Sequence, residues 1–210
     1  MSAGLRLLLA SESPRRRELL AAAGIPFRPV PSRGRESVDP NDPFMTVEAN
    51  AKAKAEGAVI PPDEAPPLLV LGADTVVVCG GSILGKPTDR EEAGDMIRRL
   101  AGGRHTVVSG VAVRRLAAHG DRSAEIVAGC AETDVWFREL TDPQIQAYLD
   151  TGEWRDKAGA YGIQGRAGLF VERIEGEYFA VVGLSLRLLV SLLAQLGLDA
   201  LSTPAADVVA

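Results

Sequence analysis

The stretch "LRLLLASESPRRRELLAAAG", Leu5 to Gly24, decides the fold class. Leu5–Ala10 is a short apolar run of strand length. Ser13-Pro14 then opens a helix. Serine is a good N-cap, and proline suits the first helical position because its missing N–H would be unpaired there anyway. The helix runs to about Ala23, and Gly24 stops it. This is a strand–loop–helix unit whose loop is polar. Its charge is anomalous, because Arg15, Arg16 and Arg17 crowd the first turn. That end of a helix carries the positive pole of the macrodipole, and each exposed cation there costs about 0.3–1 kcal/mol. A bound phosphate removes the conflict: free N–H groups and bidentate guanidinium donors both suit its oxygens. The plainer reading is a solvated helix start in which Glu18 offsets part of the charge.

Outward from this unit, Pro31–Pro43 is loop-like and Met45–Val59 reads as a helix. Ile60–Pro67 is a surface connection. Leu68–Cys79, "LLVLGADTVVVC", is the most β-like stretch, interrupted at Gly72–Thr75, and Gly80-Gly81 signals a hairpin. Thr88 and Glu91 have capping-box spacing before the helix "DREEAGDMIRRLAGG". "HTVVSGVAVRRL" and "AEIVAGCAETDVWFREL" are further strand regions. Thr141 and Gln144 repeat the capping-box spacing before "DPQIQAYLDTG". "WRDKAGAYGIQGRAG" is a long polar, glycine-rich segment, and "LFVERIEGEYFAVVG" reads as a hairpin around Glu175-Gly176. "SLRLLVSLLAQLG" is the last helix, and the tail beyond Asp199 reads as loose. Helices and strands alternate first and hairpins follow, so the expected class is α/β with a mixed sheet.

Composition narrows the chemistry. The chain has 210 residues, 46% of them hydrophobic and 24% charged, enough for a sizeable core. A net charge of −5 argues against a general nucleic-acid binder. Cys79 and Cys130 form no CxxC pair, so a disulfide framework is not expected and a reduced cytosolic setting fits. His105 and His119 are too few for a multi-histidine metal site, and no Ser–His–Asp arrangement is recoverable. "LRLLLA" is too short for a signal peptide or a membrane span.

The candidate chemistry lies in short segments. The run before Asp74 places its carboxylate at a strand end, where it can hold a divalent cation or act as a general base. A turn aspartate bonded to its own backbone is the alternative. "GGSILGKP" imitates a P-loop, but Pro87 stands where the Mg²⁺-binding hydroxyl belongs, so only Lys86 is kept as a phosphate contact. In "DKAGAYGIQG", Lys157 and Gln164 supply ammonium and amide donors on a glycine-rich loop. Trp136, Trp154 and Tyr161 are candidates for stacking on a base, or simply core. These parts fit a phosphorylated small molecule bound with a divalent cation, without naming a reaction.

Taken together, "LLLASESPRRRELLAAAGIPF", "LGADTVVV", "LGKPTDREEAGDMIRRLAGGRHTVVSGVAV", "ETDVWFREL" and "DKAGAYGIQGRAGLFVERIEGEYFAVVGLSL" resemble the Maf family of nucleoside triphosphate pyrophosphatases, in the family's order from about Leu5 to Leu196. The resemblance implies an elongated mixed sheet flanked by helices, with two lobes around a central cleft, as in the inosine triphosphatases. It implies one catalytic domain over residues 1–198 and a flexible tail over 199–210. It further implies hydrolysis of a nucleoside triphosphate to monophosphate and pyrophosphate, a nucleotide-pool house-cleaning role, with Mg²⁺ or Mn²⁺. The implied setting is a cytoplasmic homodimer with no nucleic-acid or membrane partner.

Residue by residue, the family's catalytic aspartate falls on Asp74, which with Glu36 would hold the metal. Ser11, Arg15, Arg16, Lys54, Thr75, Lys86 and Gln164 fall on substrate-binding positions, although "AKAKA" also permits Lys52 in place of Lys54. The Arg15, Thr75 and Gln164 set resembles the dTTP/UTP subgroup, whereas the 7-methyl-GTP subgroup tends to carry Trp, Gln and Glu there. Glu12 departs from the small residue common at its position. The rival readings are a non-catalytic nucleotide-binding regulator of cell division or septum formation, and a nucleotidyltransferase.

Overall fold

The computed structural model describes residues 7–120 and 124–201. The expected loose tail beyond Asp199 therefore lies mostly outside the described residues. The sheet begins with β1 (Leu7–Leu9), whose side chains are all buried. α1 (Pro14–Ala22) leads to β2 (Phe27–Pro29), which pairs parallel to β1. α2 (Pro43–Glu56) then carries the chain to β3 (Leu68–Cys79), parallel to β1 on its other side. The chain leaves β1 toward one edge, to β2, and leaves β3 toward the other, to β5, so a topological switch point lies between β1 and β3, the place where open α/β sheets form a crevice.

Antiparallel strands complete the sheet. β4 (Ser82–Leu84) folds back on β3 through Gly80 and Gly81, whose φ values of +57 and +75 suit a tight hairpin turn. α3 (Arg90–Leu100) precedes β5 (Arg104–Leu116), which pairs along nearly all of β3. β6 (Glu125–Phe137), α4 (Asp142–Leu149), β7 (Val171–Glu175), α5 (Tyr178–Val182) and α6 (Leu186–Gln195) follow. The seven strands form one mixed sheet in the order β2-β1-β3-β5-β6-β7, with β4 on β3. The α/β class with a mixed sheet is therefore as expected.

Alternation along β3 divides the core. Leu71, Ala73 and Val77 join the largest apolar cluster, with Ile97 of α3, Tyr148 of α4 and Leu189 of α6. Val70 and Val76 face the other way, toward Ala51 and Val47 of α2. α2 lies directly on the sheet because two glycines let it. A Cβ on Gly72 would stand 2.1 Å from the Ala51 carbonyl oxygen, and one on Gly110 would stand 2.3 Å from that of Val47. Among the described residues, no helix is long and apolar enough to cross a membrane.

Several local expectations need correction. β3 runs unbroken through Gly72–Thr75, so Asp74 sits within a strand rather than at its end. β5 pairs continuously along its far edge and holds that segment extended. The residues after Gly176 form α5, not the return strand of a hairpin, and β7 pairs with β6 instead. α2 begins at Pro43, two residues before Met45, with the Asp42 side chain accepting from the Met45 N–H at 2.8 Å. The α3 cap is Asp89, which accepts from Glu92 N–H at 2.9 Å, while the Glu92 carboxylate reaches back to Thr88. The capping-box spacing at Thr88 thus falls one residue early. β2 lies where no element was expected; its three residues gain a ladder from β1 that local preference does not supply.

Candidate active site

The crevice opens on one edge of β3. β1 pairs with Leu69–Leu71 and β4 with Val77–Cys79, so the intervening residues have no strand partner on that edge among the described residues. Asp74 and Thr75 stand in this gap and project to opposite faces. A cleft of about 500 Å³ forms there. Ser11, Arg15, Arg16, Glu36, Lys54, Asp74, Thr75, Lys86 and Gln164 all line it.

Asp74 is 8% exposed and is held from the α2 side. Asn50 Nδ2 donates to Asp74 Oδ2 at 2.8 Å, and Lys54 Nζ donates to Oδ1 at 2.7 Å. Asn50 and Lys54 are four residues apart, so they share one helix face. Asn50 Oδ1 also accepts from the Ser37 N–H at 2.8 Å, tying the loop that carries Glu36 to the same helix. Lys54 Nζ reaches Glu36 Oε1 at 2.8 Å, so two carboxylates converge on one ammonium. Lys52 instead pairs with Glu48, and Lys54 is the one of the two that lines the cleft.

The opposite face is built on α1. Its Ser13 cap makes no side-chain capping bond, its first turn has no acid, and Ser13 to Arg16 line the cleft. Arg16 is buried. Its Nε donates to the Gly183 carbonyl at 2.8 Å and its Nη1 to Ser11 Oγ at 3.0 Å. Thr75 Oγ1 donates to the same Gly183 oxygen at 3.3 Å. Arg15 Nε donates to the Val182 carbonyl at 3.3 Å. The C-terminal end of α5 thus anchors both arginines and Thr75 through the main-chain oxygens of Val182 and Gly183. Gly183 has a φ of +131, a conformation that side chains strain to adopt. Burial lowers the pKa of the Arg16 guanidinium, opposed by the nearby Asp74 charge. Burial likewise lowers that of Arg15, opposed by Glu18 and Asp156. Arg17 is exposed and outside the cleft.

Glu12 also lines the cleft. Of the aromatic candidates, only Tyr161 does so. Trp154 is buried with its indole N–H on the Leu149 carbonyl, and Trp136 lies under Arg173 at 3.8 Å. Tyr161 bonds through its hydroxyl to Nε2 of His105 at 2.8 Å, beside Phe137. His105 is 1% exposed, and burial pushes its pKa down to about 4, leaving it neutral at pH 7. Among the described residues, no three His, Cys, Asp or Glu side chains are grouped to hold a metal.

Sequence reading missed Asn50 and the carbonyls of Val182 and Gly183. Asn50 had a usable signal, because a polar side chain within the Val47–Ala51–Ala55 stripe must find a buried partner. The carbonyls had none, since a main-chain oxygen has no sequence signature.

The description Maf-like protein fits residues 6–196. The chain is 52% identical over 195 residues to a protein of Moorella thermoacetica, covering 92% of this chain and 96% of that one. It is 47% identical to a protein of Hahella chejuensis, covering 92% and 93%, and 46% identical to one of Bacillus velezensis, covering 85% and 90%. All three relatives are named dTTP/UTP pyrophosphatase. By the extent of that match and these identities, the chain belongs to the Maf-like protein family.

Proposed function

We propose that this protein hydrolyses dTTP and UTP, and modified pyrimidine triphosphates, to the nucleoside monophosphate and pyrophosphate. The observation that carries this reading is Asp74: a carboxylate fixed by Asn50 and Lys54 inside a cleft that also holds Arg15, Arg16 and Lys86. Asp74 takes a proton from a water whose oxygen attacks the α-phosphorus. The bond from that phosphorus to the α–β bridging oxygen breaks, and the bridging oxygen leaves with pyrophosphate. Arg15, Arg16, Lys54 and Lys86 balance the phosphate charge as it shifts toward the leaving group. Ser11 holds Arg16 in place and faces the same anion. Thr75 and Gln164 read the pyrimidine edge, where an unpaired donor or acceptor penalises the wrong base. The names of the relatives support the dTTP and UTP preference.

Asp74 and Glu36 are the residues that would hold a divalent ion. Their carboxylates already meet at one cationic point, the Lys54 ammonium. Mg²⁺ is commonly held by one or two carboxylates plus substrate phosphates, so this donor set fits it. When bound, Mg²⁺ or Mn²⁺ would supply Lewis-acid polarisation of the phosphate oxygens. The reading includes a cytoplasmic setting, supported by the free thiols Cys79 and Cys130, and a homodimer, to be checked by sedimentation.

The deciding experiment is a nucleotide panel assayed for pyrophosphate with Mg²⁺ and with Mn²⁺. dTTP and UTP should yield pyrophosphate, EDTA should stop the release, and added Mg²⁺ should restore it. Asp74→Asn should lower kcat by about 10²–10⁴-fold. Orthophosphate as the first product, or near-normal turnover by a folded Asp74→Asn variant, refutes the mechanism.

A further inference from the structure

The cations in the cleft fall into two sets. Lys54 is neutralised by Asp74 and Glu36. Arg15, Arg16, Lys86 and Lys157 have no carboxylate at ion-pair distance among the described residues, yet all line the same cleft; of these, the Arg16 guanidinium is already held by the Gly183 carbonyl and Ser11.

The backbone around Lys157 is strained and clamped. Asp156 (φ +60) and Ala160 (φ +61) are the non-glycine residues with positive φ among the described residues, and Gly159 between them has φ +65. Such strain persists only where the surroundings hold it, and it concentrates at functional sites. Here the holding contacts are visible. Gly159 N–H donates to the Gly85 carbonyl at 3.0 Å, and Tyr148 Oη donates to the Ala160 carbonyl at 3.0 Å. The first of these joins the loop of Lys157 to the residue before Lys86. The Lys157 stem also lies across Gly162: a Cβ there would meet its Cε at 2.7 Å and Cδ at 2.9 Å. The stem is thus held over Gly162, and the ammonium meets the Arg155 carbonyl of its own loop at 3.4 Å. Burial, and secondarily the Arg15 charge, lower its pKa, opposed by the nearby charges of Glu153 and Asp156.

We propose that Lys157 is a further substrate-binding residue, which with Arg15 and Lys86 binds the β- and γ-phosphates that leave as pyrophosphate. The inference rests on the pyrophosphatase reading. Asp74, Glu36 and Lys54 form the end where water meets the α-phosphorus; Arg15, Lys86 and Lys157, outside any ion pair among the described residues, form the end that takes the remaining charge. A diphosphate is the ligand class that fits them, because it brings several negative charges on adjacent oxygens.

The test is calorimetric titration of inorganic pyrophosphate and of dTMP, both with Mg²⁺, into wild type and Lys157→Met. Methionine keeps the apolar stem over Gly162 and removes the charge. Pyrophosphate Kd should rise about tenfold, equivalent to about 1.4 kcal/mol, while dTMP Kd stays within about twofold. Lys157→Arg should recover most of the pyrophosphate affinity. If Lys157→Met melts early, Lys157→Gln takes its place in the same titration. Unchanged pyrophosphate affinity, an equal loss for dTMP, or a wild type that binds no pyrophosphate overturns the proposal. Absence of dTTP hydrolysis by a wild type that binds pyrophosphate refutes the reaction instead.

Discussion

Removing Asn50 should separate the folding of the cleft from its chemistry. Asn50 is 2% exposed and uses both ends of its amide: Nδ2 on Asp74 at 2.8 Å, Oδ1 on the Ser37 N–H at 2.8 Å. Asn50→Ala removes one hydrogen bond to a charged group, worth about 1.5–3 kcal/mol, and one neutral bond, worth about 0.5–1.5 kcal/mol. Asp74 borders the cleft, so water there recovers part of the first loss. The net destabilisation should be about 2–3 kcal/mol, which lowers Tm by about 5–10 °C in a chain of this size. The functional loss should be larger. Without Asn50, Lys54 alone orients the Asp74 carboxylate, and a misplacement of about 1 Å costs about 10²-fold. The assay is urea denaturation beside kcat/KM for pyrophosphate release from dTTP. Asn50→Asp adds a control of equal size, because it sets a second carboxylate against Asp74 and should lower kcat/KM further at neutral pH. If Asn50→Ala loses stability but keeps kcat/KM within twofold, the Asn50 bond does not position Asp74 for chemistry.

The remaining predictions concern stability. The pKa of His105 is depressed from 6.5 to about 4, so between those pH values the unfolded chain binds a proton that the folded chain does not. Its contribution is complete above pH 6.5 and is lost as pH falls toward 4, by at most roughly 3 kcal/mol. His105→Gln should flatten that part of the stability–pH curve; a slope equal to the wild type's refutes the assignment. Gly72→Ala sets a Cβ 2.1 Å from the Ala51 carbonyl oxygen, so α2 must retreat and carry Asn50 and Lys54 away from Asp74. Stability should fall by about 3 kcal/mol in urea denaturation, with activity falling alongside. Gly85→Ala, with open space around it, should be near neutral for stability.

The sequence alone determined the features that act over a few residues. The apolar run at Leu7–Leu9, proline at the start of α1 and the Thr141–Gln144 pair before α4 are local signals, and each element formed where its signal lies. The cation-rich start of α1 was also legible, because charge against a helix pole is a contradiction written in adjacent residues. Tertiary structure decided what surrounds Asp74. Its position inside a continuous strand follows from pairing with β5, and its exposure follows from the gap between β1 and β4 on the other edge. Its partners Asn50 and Lys54 reach it only because Gly72 and Gly110, far apart in the chain, admit the α2 backbone. Tertiary structure likewise sent Trp136 and Trp154 away from the cleft and turned Tyr178–Val182 into a helix. Periodicity and caps report short-range preference. Which edge stays open, and which helix lies across it, is settled by packing between segments that no local pattern links.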